Sequence, residues 1–253
     1  MAFLDRNGVK IYYETHGEGP ALLLSHGYLA SAQMWRGQVD AFSKNYKLVL
    51  WDMRGHGRSD YPEDQAQYSE DATVDDMAAI LDAIGAQSAI VGGLSLGGYM
   101  SLAFQRKYSE RTRALLIVDT GPGYKNDDAR AQWNERAVKT AERFEREGVS
   151  QSGGAETREA LHRNAIGLAL AGRGMLTQRN ARVIESLPNI KVPSLIVVGA
   201  NDMPFLKAAD YMSAKIPNAQ KVVISGAGHA ANIDQPAVFN DAILNFLTTA
   251  VGL

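Results

Sequence analysis

The sequence predicts an α/β fold, a mostly parallel, doubly wound sheet with helices on both faces. Three observations carry that prediction. Six short apolar runs recur along the chain without the alternation of a half-exposed strand. Segments with helical spacing lie between them. The chain has 253 residues, 45% hydrophobic and 21% charged, which suits one full-sized domain with a substantial core.

The first element reads as a hairpin. Asn7-Gly8 tolerates the positive φ angles of a type I′ turn, and Val9, Ile11 and Tyr13 then alternate with polar residues. The apolar runs follow: Leu22-Leu24, Leu48-Trp51, Ala89-Val91, Ala114-Val118, Leu195-Val198 and Val222-Ile224. Both faces of each are expected to be buried. The clearest helix is Thr73 to Ile84, with Val74, Met77, Ile80, Leu81 and Ile84 on one stripe; Thr73 is placed to cap it and Gly85 to end it. Another spans Tyr99 to Lys107. The last runs from Gln235 to Thr249, with Pro236 in the first turn, where its missing N–H costs nothing.

Between Gly121 and Pro188 no strand-like run occurs. Ala129, Trp133, Ala137, Ala141 and Phe144 mark a helical stripe, with Arg and Glu interleaved on the other faces as a solvated surface. A Gly/Ser stretch from Gly148 to Gly154 follows, then helical segments around Leu161 to Leu170 and Arg179 to Ser186. The expected organisation is a core domain of residues 1–120 and 189–253, with 121–188 inserted as a helical cap.

Composition removes whole classes of function. Lys+Arg 26 against Asp+Glu 28 leaves a net charge of −2, so no basic field draws the chain to nucleic acid or anionic lipid. The longest apolar runs fall far short of the about 20 residues a membrane-spanning helix needs. Cysteine is absent, which excludes disulfides, thiolate metal sites and a thiol nucleophile. No basic segment leads into an apolar stretch at the N-terminus, so a cytoplasmic protein without a secretory signal is expected. No metal-ligand cluster of the His-Glu-x-x-His type occurs. Gly55-His56-Gly57-Arg58-Ser59-Asp60 ends in Asp where a dinucleotide site needs its third glycine, and Tyr61-Pro62 follows where a helix should begin. Neither a cofactor nor a metal is therefore expected. The expected partner is a small-molecule substrate, and the expected state a monomer or small homo-oligomer.

The chemistry is concentrated in Val91-Gly92-Gly93-Leu94-Ser95-Leu96-Gly97-Gly98, directly after an apolar run and before a helical segment. It matches G-x-S-x-G, in which a serine sits on a sharp strand-to-helix turn and lifts its hydroxyl clear of the sheet. Side chains two positions either side would collide with the neighbouring strand or helix. A serine hydroxyl needs a base to take its proton. Of the five histidines, His229 stands in a small-residue loop after the last apolar run, where a doubly wound sheet places its site. His56 is its main rival; His26 precedes a loop glycine and reads as organising backbone, and His162 lies on a mainly solvated stretch. The base in turn needs an acid. Asp202 follows the Leu195-Val198 run one strand before His229, and Asp119, closing the Ala114-Val118 run, is the alternative. The order Ser95, Asp202, His229 is that of the α/β-hydrolase arrangement. For the oxyanion, the backbone N–H groups of Leu96 and Tyr28 are the candidate donors. Tyr28, Trp133, Met203 and Phe205 are the candidate substrate contacts.

The sequence resembles the α/β-hydrolase superfamily over essentially its whole length. The resemblance rests on His26-Gly27-Tyr28, Asp52-Met53-Arg54-Gly55-His56-Gly57-Arg58-Ser59, Gly93-Leu94-Ser95-Leu96-Gly97-Gly98, Gly199-Ala200-Asn201-Asp202 and Gly226-Ala227-Gly228-His229, in that order. It implies that the Asp52–Ser59 segment is a structural loop beside the site. It also implies a helical cap at residues 121–188. Within the superfamily the serine motif and small cap look most like 3-oxoadipate enol-lactonases and related small-ester hydrolases. Haloalkane dehalogenases and epoxide hydrolases carry Asp where Ser95 stands. The implied activity is ester or lactone hydrolysis. Hydrolysis of a C–C bond in a meta-cleavage product, cofactor-free perhydrolysis and a slow-turnover small-molecule receptor share the same motifs.

Overall fold

A computed structural model describes residues 1–149 and 154–252. Among the described residues eight strands form one sheet: β1 (Ala2–Arg6), β2 (Val9–His16), β3 (Ala21–Ser25), β4 (Lys47–Trp51), β5 (Ala89–Leu94), β6 (Thr112–Val118), β7 (Ser194–Gly199) and β8 (Ala219–Ile224). Their order is β1-β2-β4-β3-β5-β6-β7-β8. The β1–β2 and β2–β4 pairs are antiparallel and every later pair is parallel. The entering hairpin turns on Asn7 and Gly8 at φ 57° and 86°, both left-handed, as a type I′ turn requires.

Helices α1 (Arg36–Phe42), α2 (Glu70–Ala83), α3 (Leu96–Lys107), α4 (Asp127–Glu147), α5 (Ala165–Ala171), α6 (Arg182–Ser186), α7 (Met203–Lys215), α8 (Ala231–Asp234) and α9 (Pro236–Phe246) complete the fold. Successive residues of one strand enter opposite cores. Leu23, Val49, Val91 and Ile117 join Met77, Leu81, Met100, Phe104 and Met212 of α2, α3 and α7. Leu24, Leu50, Ile90 and Leu116 join Phe42, Phe239, Ile243 and Phe246 of α1 and α9. A strand with a core on each side needs no polar face, so its sequence reads as an unbroken apolar run.

Four expectations fail locally. β8 is an edge strand; Val223 is 46% exposed and Lys221 pairs with Asp210, because the sheet ends there and one face stays open to solvent. α2 begins at Glu70, not Thr73. Ser69 is its cap, extended at φ −158° and accepting from Ala72 N–H, while Thr73 lies in the first turn and donates to Ser69 O. Glu70 and Asp71 then sit where the helix dipole favours negative charge. α3 starts at Leu96 rather than Tyr99. α5 starts at Ala165, capped by Asn164, and leaves Leu161 83% exposed ahead of it.

Among the described residues between β6 and β7, α4, α5 and α6 follow one another and no strand occurs. Within the Gly148–Gly154 stretch, residues 150–153 lie outside the described residues. Ala141 and Phe144 of α4 pack on Leu168 and Ala169 of α5, with Tyr28 and Leu29 of the core beneath. Polar clasps complete this join. Tyr28 Oη donates to Leu168 O at 2.7 Å. His162 Nε2–H donates to Leu29 O at 2.8 Å, and its Nδ1 accepts from Gly57 N–H at 3.2 Å. His162 was expected on a solvated stretch; it instead ties the segment between α4 and α5 to the loops of Leu29 and Gly57. Among the described residues no helix is long and apolar enough to cross a membrane.

Tyr28→Phe removes one clasp and no ring packing. It should lower unfolding stability by about 1 kcal/mol, read by denaturant titration; an unchanged midpoint would show the bond contributes nothing.

Candidate active site

β5 ends at Leu94 and α3 begins at Leu96, leaving Ser95 alone at the bend with φ 55° and ψ −116°. That is a left-handed φ, costly for any residue with a Cβ. The bend is held by a Ser95 N–H bond to Val118 O at 2.9 Å and by Thr120 Oγ1 donating to Ser95 O at 2.7 Å. The flanking glycines have one physical cause. A Cβ on Gly97 would run into Ser25 O and His26 O, and a Cβ on Gly93 into Gly97 and Ser25 backbone. The elbow is thus pressed against the end of β3.

That strand end carries the His26-Gly27-Tyr28 loop. A Cβ built on Gly27 would stand 3.5 Å from Ser95 Cβ, so this backbone passes directly beside the serine. Among the described residues, the N–H groups of Tyr28 and Leu96 make no turn or loop bond to a backbone oxygen. Buried His26 fixes the loop by donating from Nδ1 to Gly27 O at 2.7 Å and accepting Met53 N–H on Nε2 at 2.9 Å. Burial pushes its pKa down to about 4, so the ring stays neutral and keeps that acceptor. His56, the alternative base, is fully buried against the rings of His26, Tyr28 and His162, and its Nδ1 bonds Arg54 O. It does not line the cavity at Ser95. Asp52 is occupied as well, accepting Ala32 N–H and Arg58 N–H. Arg54 binds Asp76 of α2 through two nitrogens.

The loops after β7 and β8 bring Asp202 and His229 together. Asp202 Oδ2 meets His229 Nδ1 at 2.8 Å, with the carboxylate buried and the imidazole about one-third exposed. The loops can lie this close because Gly199 has no side chain; a Cβ there would meet Gly228 O and Ala227 O. Asn201 N–H adds a bond to Ala227 O at 2.9 Å. Phe205 stacks on the imidazole with ring centroids 5.1 Å apart. Burial alone would lower the His229 pKa, but the Asp202 hydrogen bond and charge, followed by Asp119 and Glu156, outweigh it and hold it above the ordinary value.

A cavity of about 270 Å³ opens above Ser95 and Leu96. Tyr99, Tyr124, Trp133, Leu176 and Phe205 make its apolar wall, Gln178 contributes an amide, and Lys207 is the one charged residue among the described lining. No arginine of α4 enters it. Arg130 pairs with Asp127, and Arg146 with Glu147.

A family model described as the alpha/beta hydrolase fold matches residues 20–183, from the approach to β3 through the start of α6. The chain belongs to the alpha/beta hydrolase family. It is 28% identical to 3-oxoadipate enol-lactonase 2 of Acinetobacter baylyi, over 95% of this chain and 94% of that one. It is 26% identical to the pimeloyl-[acyl-carrier protein] methyl ester esterase of Yersinia enterocolitica, over 94% of this chain and 97% of that one. The solved structure of a thermophilic esterase from Thermogutta terrifontis superposes with a TM-score of 0.84 at 26% identity, covering 98% of this chain and 97% of that one.

In this alpha/beta hydrolase two of the four candidate substrate contacts, Trp133 and Phe205, line the cavity, and two do not. Met203 occupies the first turn of α7 and is 70% exposed, pointing away from the wall its neighbours Pro204 and Phe205 form. The Tyr28 ring is turned under α5 by its bond to Leu168 O. Sequence reasoning missed Gln178, which no motif marks, and Thr120, whose place after the β6 run was the available signal.

Gly97→Ala should cost at least about 3 kcal/mol or abolish folding, measured by expression and unfolding. Gly8→Ala, at a positive φ with nothing within 4 Å of the added carbon, should cost only about 1 kcal/mol.

Proposed function

We propose that this protein is a serine hydrolase that cleaves a carboxylic ester or lactone through an acyl-enzyme. One observation carries the reading: the 2.8 Å contact of Asp202 with His229 Nδ1, in a chain whose Ser95 stands on a strained elbow at the floor of a cavity. The carboxylate holds the proton on Nδ1, so Nε2 is the acceptor. Ser95 Oγ attacks the carbonyl carbon as His229 takes its proton. The N–H groups of Tyr28 and Leu96 receive the oxyanion. The imidazolium returns the proton to the leaving alkoxide. Water deprotonated by His229 then attacks the acyl carbon, and Ser95 regains its hydrogen.

The cavity wall supports an apolar acyl or alcohol group. Its aromatic surface removes apolar area from water, while the single exposed lysine gives little to compensate the desolvation of a highly charged substrate. The relatives named lactonase and esterase agree in reaction class.

A fluorophosphonate should add one adduct, on Ser95; labelling that survives Ser95→Ala rejects the nucleophile. Asp202→Asn should lower kcat by about 10⁴-fold, and near-normal turnover of uncharged aryl esters would reject the acid. Only neutral imidazole accepts the serine proton. Because the His229 pKa is raised, the acid limb of kcat/KM should fall off above the ordinary 6.5. A limb lying lower would contradict the Asp202 pairing.

A further inference from the structure

A tripeptide that supplies none of the three reacting side chains touches every loop that carries one. Val118 O accepts Ser95 N–H at 2.9 Å and Thr120 Oγ1 donates to Ser95 O at 2.7 Å, so the elbow is gripped from both sides. Between them stands Asp119, at φ 44°, in a left-handed conformation that a side chain rarely adopts. Its N–H donates to Val197 O at 2.9 Å. Its Oδ1 accepts Gly199 N–H at 2.7 Å, three residues before Asp202. Its Oδ2 accepts Ala231 N–H at 3.3 Å, two residues after His229.

The placement is expensive. Asp119 is 1% exposed and no lysine, arginine or histidine lies within ion-pair distance of it among the described residues. A buried carboxylate without a bonded cation is strongly disfavoured, and two backbone donors compensate only in part. Packing alone would be served better by an apolar residue, so the two oxygens need a reason. Burial pushes the group up to about 7, and the neighbouring Asp202 adds to this. The titratable groups that face it are Asp202 from the β7 loop and His229 from the β8 loop. The charge of Glu156 also acts on His229.

We propose that Val118–Thr120 is the registration element of the site and that Asp119 is a positioning residue. Its two carboxylate oxygens hold the Asp202 loop and the His229 loop at a fixed separation, and its negative charge lies behind the imidazolium that forms in turnover. The inference rests on the reading of Asp202 and His229 as acid and base. It goes beyond that reading in assigning Asp119 a role as a second carboxylate that does not bond the imidazole.

The test uses Asp119→Asn and Asp119→Ala in the full chain, with two independent readouts. Hydrogen exchange of the Gly199 and Ala231 amides reports the tethers whether or not the ester-hydrolase reading holds. Asn keeps one carbonyl acceptor and removes the charge, so one of the two amides should stay protected; in Ala both should exchange at least tenfold faster. With an aryl ester, Asp119→Asn should lower kcat about tenfold with KM within about twofold, and should move the acid limb of kcat/KM to lower pH. Unchanged exchange in Asp119→Ala overturns the tether, and an unmoved acid limb with wild-type kcat in Asp119→Asn overturns the charge role. If Asp119→Ala does not fold, the Asn variant decides both. Persistent fluorophosphonate labelling of Ser95→Ala would instead sink the reading beneath it while leaving the exchange result standing.

Discussion

A serine at φ 55° carries strain of roughly 1–2 kcal/mol, and in this chain that strain is over-determined from three directions. The backbone of Ser25 and His26 presses on Gly93 and Gly97, Val118 takes the serine N–H, and Thr120 takes its carbonyl. None of these neighbours can yield without moving a strand, because β3 and β6 flank β5 on either side. The bend and the centre of the sheet are therefore one mechanical object. The parallel strands, the glycines and the pair of cores are all fitted to it.

That dependence explains what could be read in the amino-acid sequence. Strands covered on both faces are unbroken apolar runs, and a bend with no room for side chains is a run of glycines, so the sheet and the Ser95 loop announce themselves locally. Asp202 and His229 stand out as candidates for a related reason, each lying in the loop that follows a strand. Features set by tertiary neighbours are not. Whether Val222-Ile224 is covered depends on where the sheet stops, which no window of sequence contains. Thr73 and Ser69 are equally good caps by composition, and the extended backbone at Ser69 decides between them. Tyr28 and Met203 stand beside the right motifs but turn their side chains elsewhere, one under α5 and the other into solvent.

The join between the sheet's loops and the segment that carries His162 has its own logic. His26, His56 and His162 lie ring against ring, with Tyr28 at the edge of the pile. Burial lowers the pKa of all three histidines, so each stays an uncharged ring with one donor and one acceptor nitrogen. Imidazoles here serve as compact polar fillers. His26 and His162 each satisfy a backbone N–H and a backbone carbonyl at once, where an apolar residue would orphan both.

The three tryptophans are distributed unevenly. Trp35 and Trp51 are sealed in the core, whereas Trp133 is half-buried in the cavity wall with its indole N–H on Leu176 O. The two sealed indoles emit from surroundings that an occupant of the cavity never alters. Any molecule that drives water off the third changes the emission of one fluorophore against a constant background, so the chain carries an intrinsic optical gauge of its own occupancy.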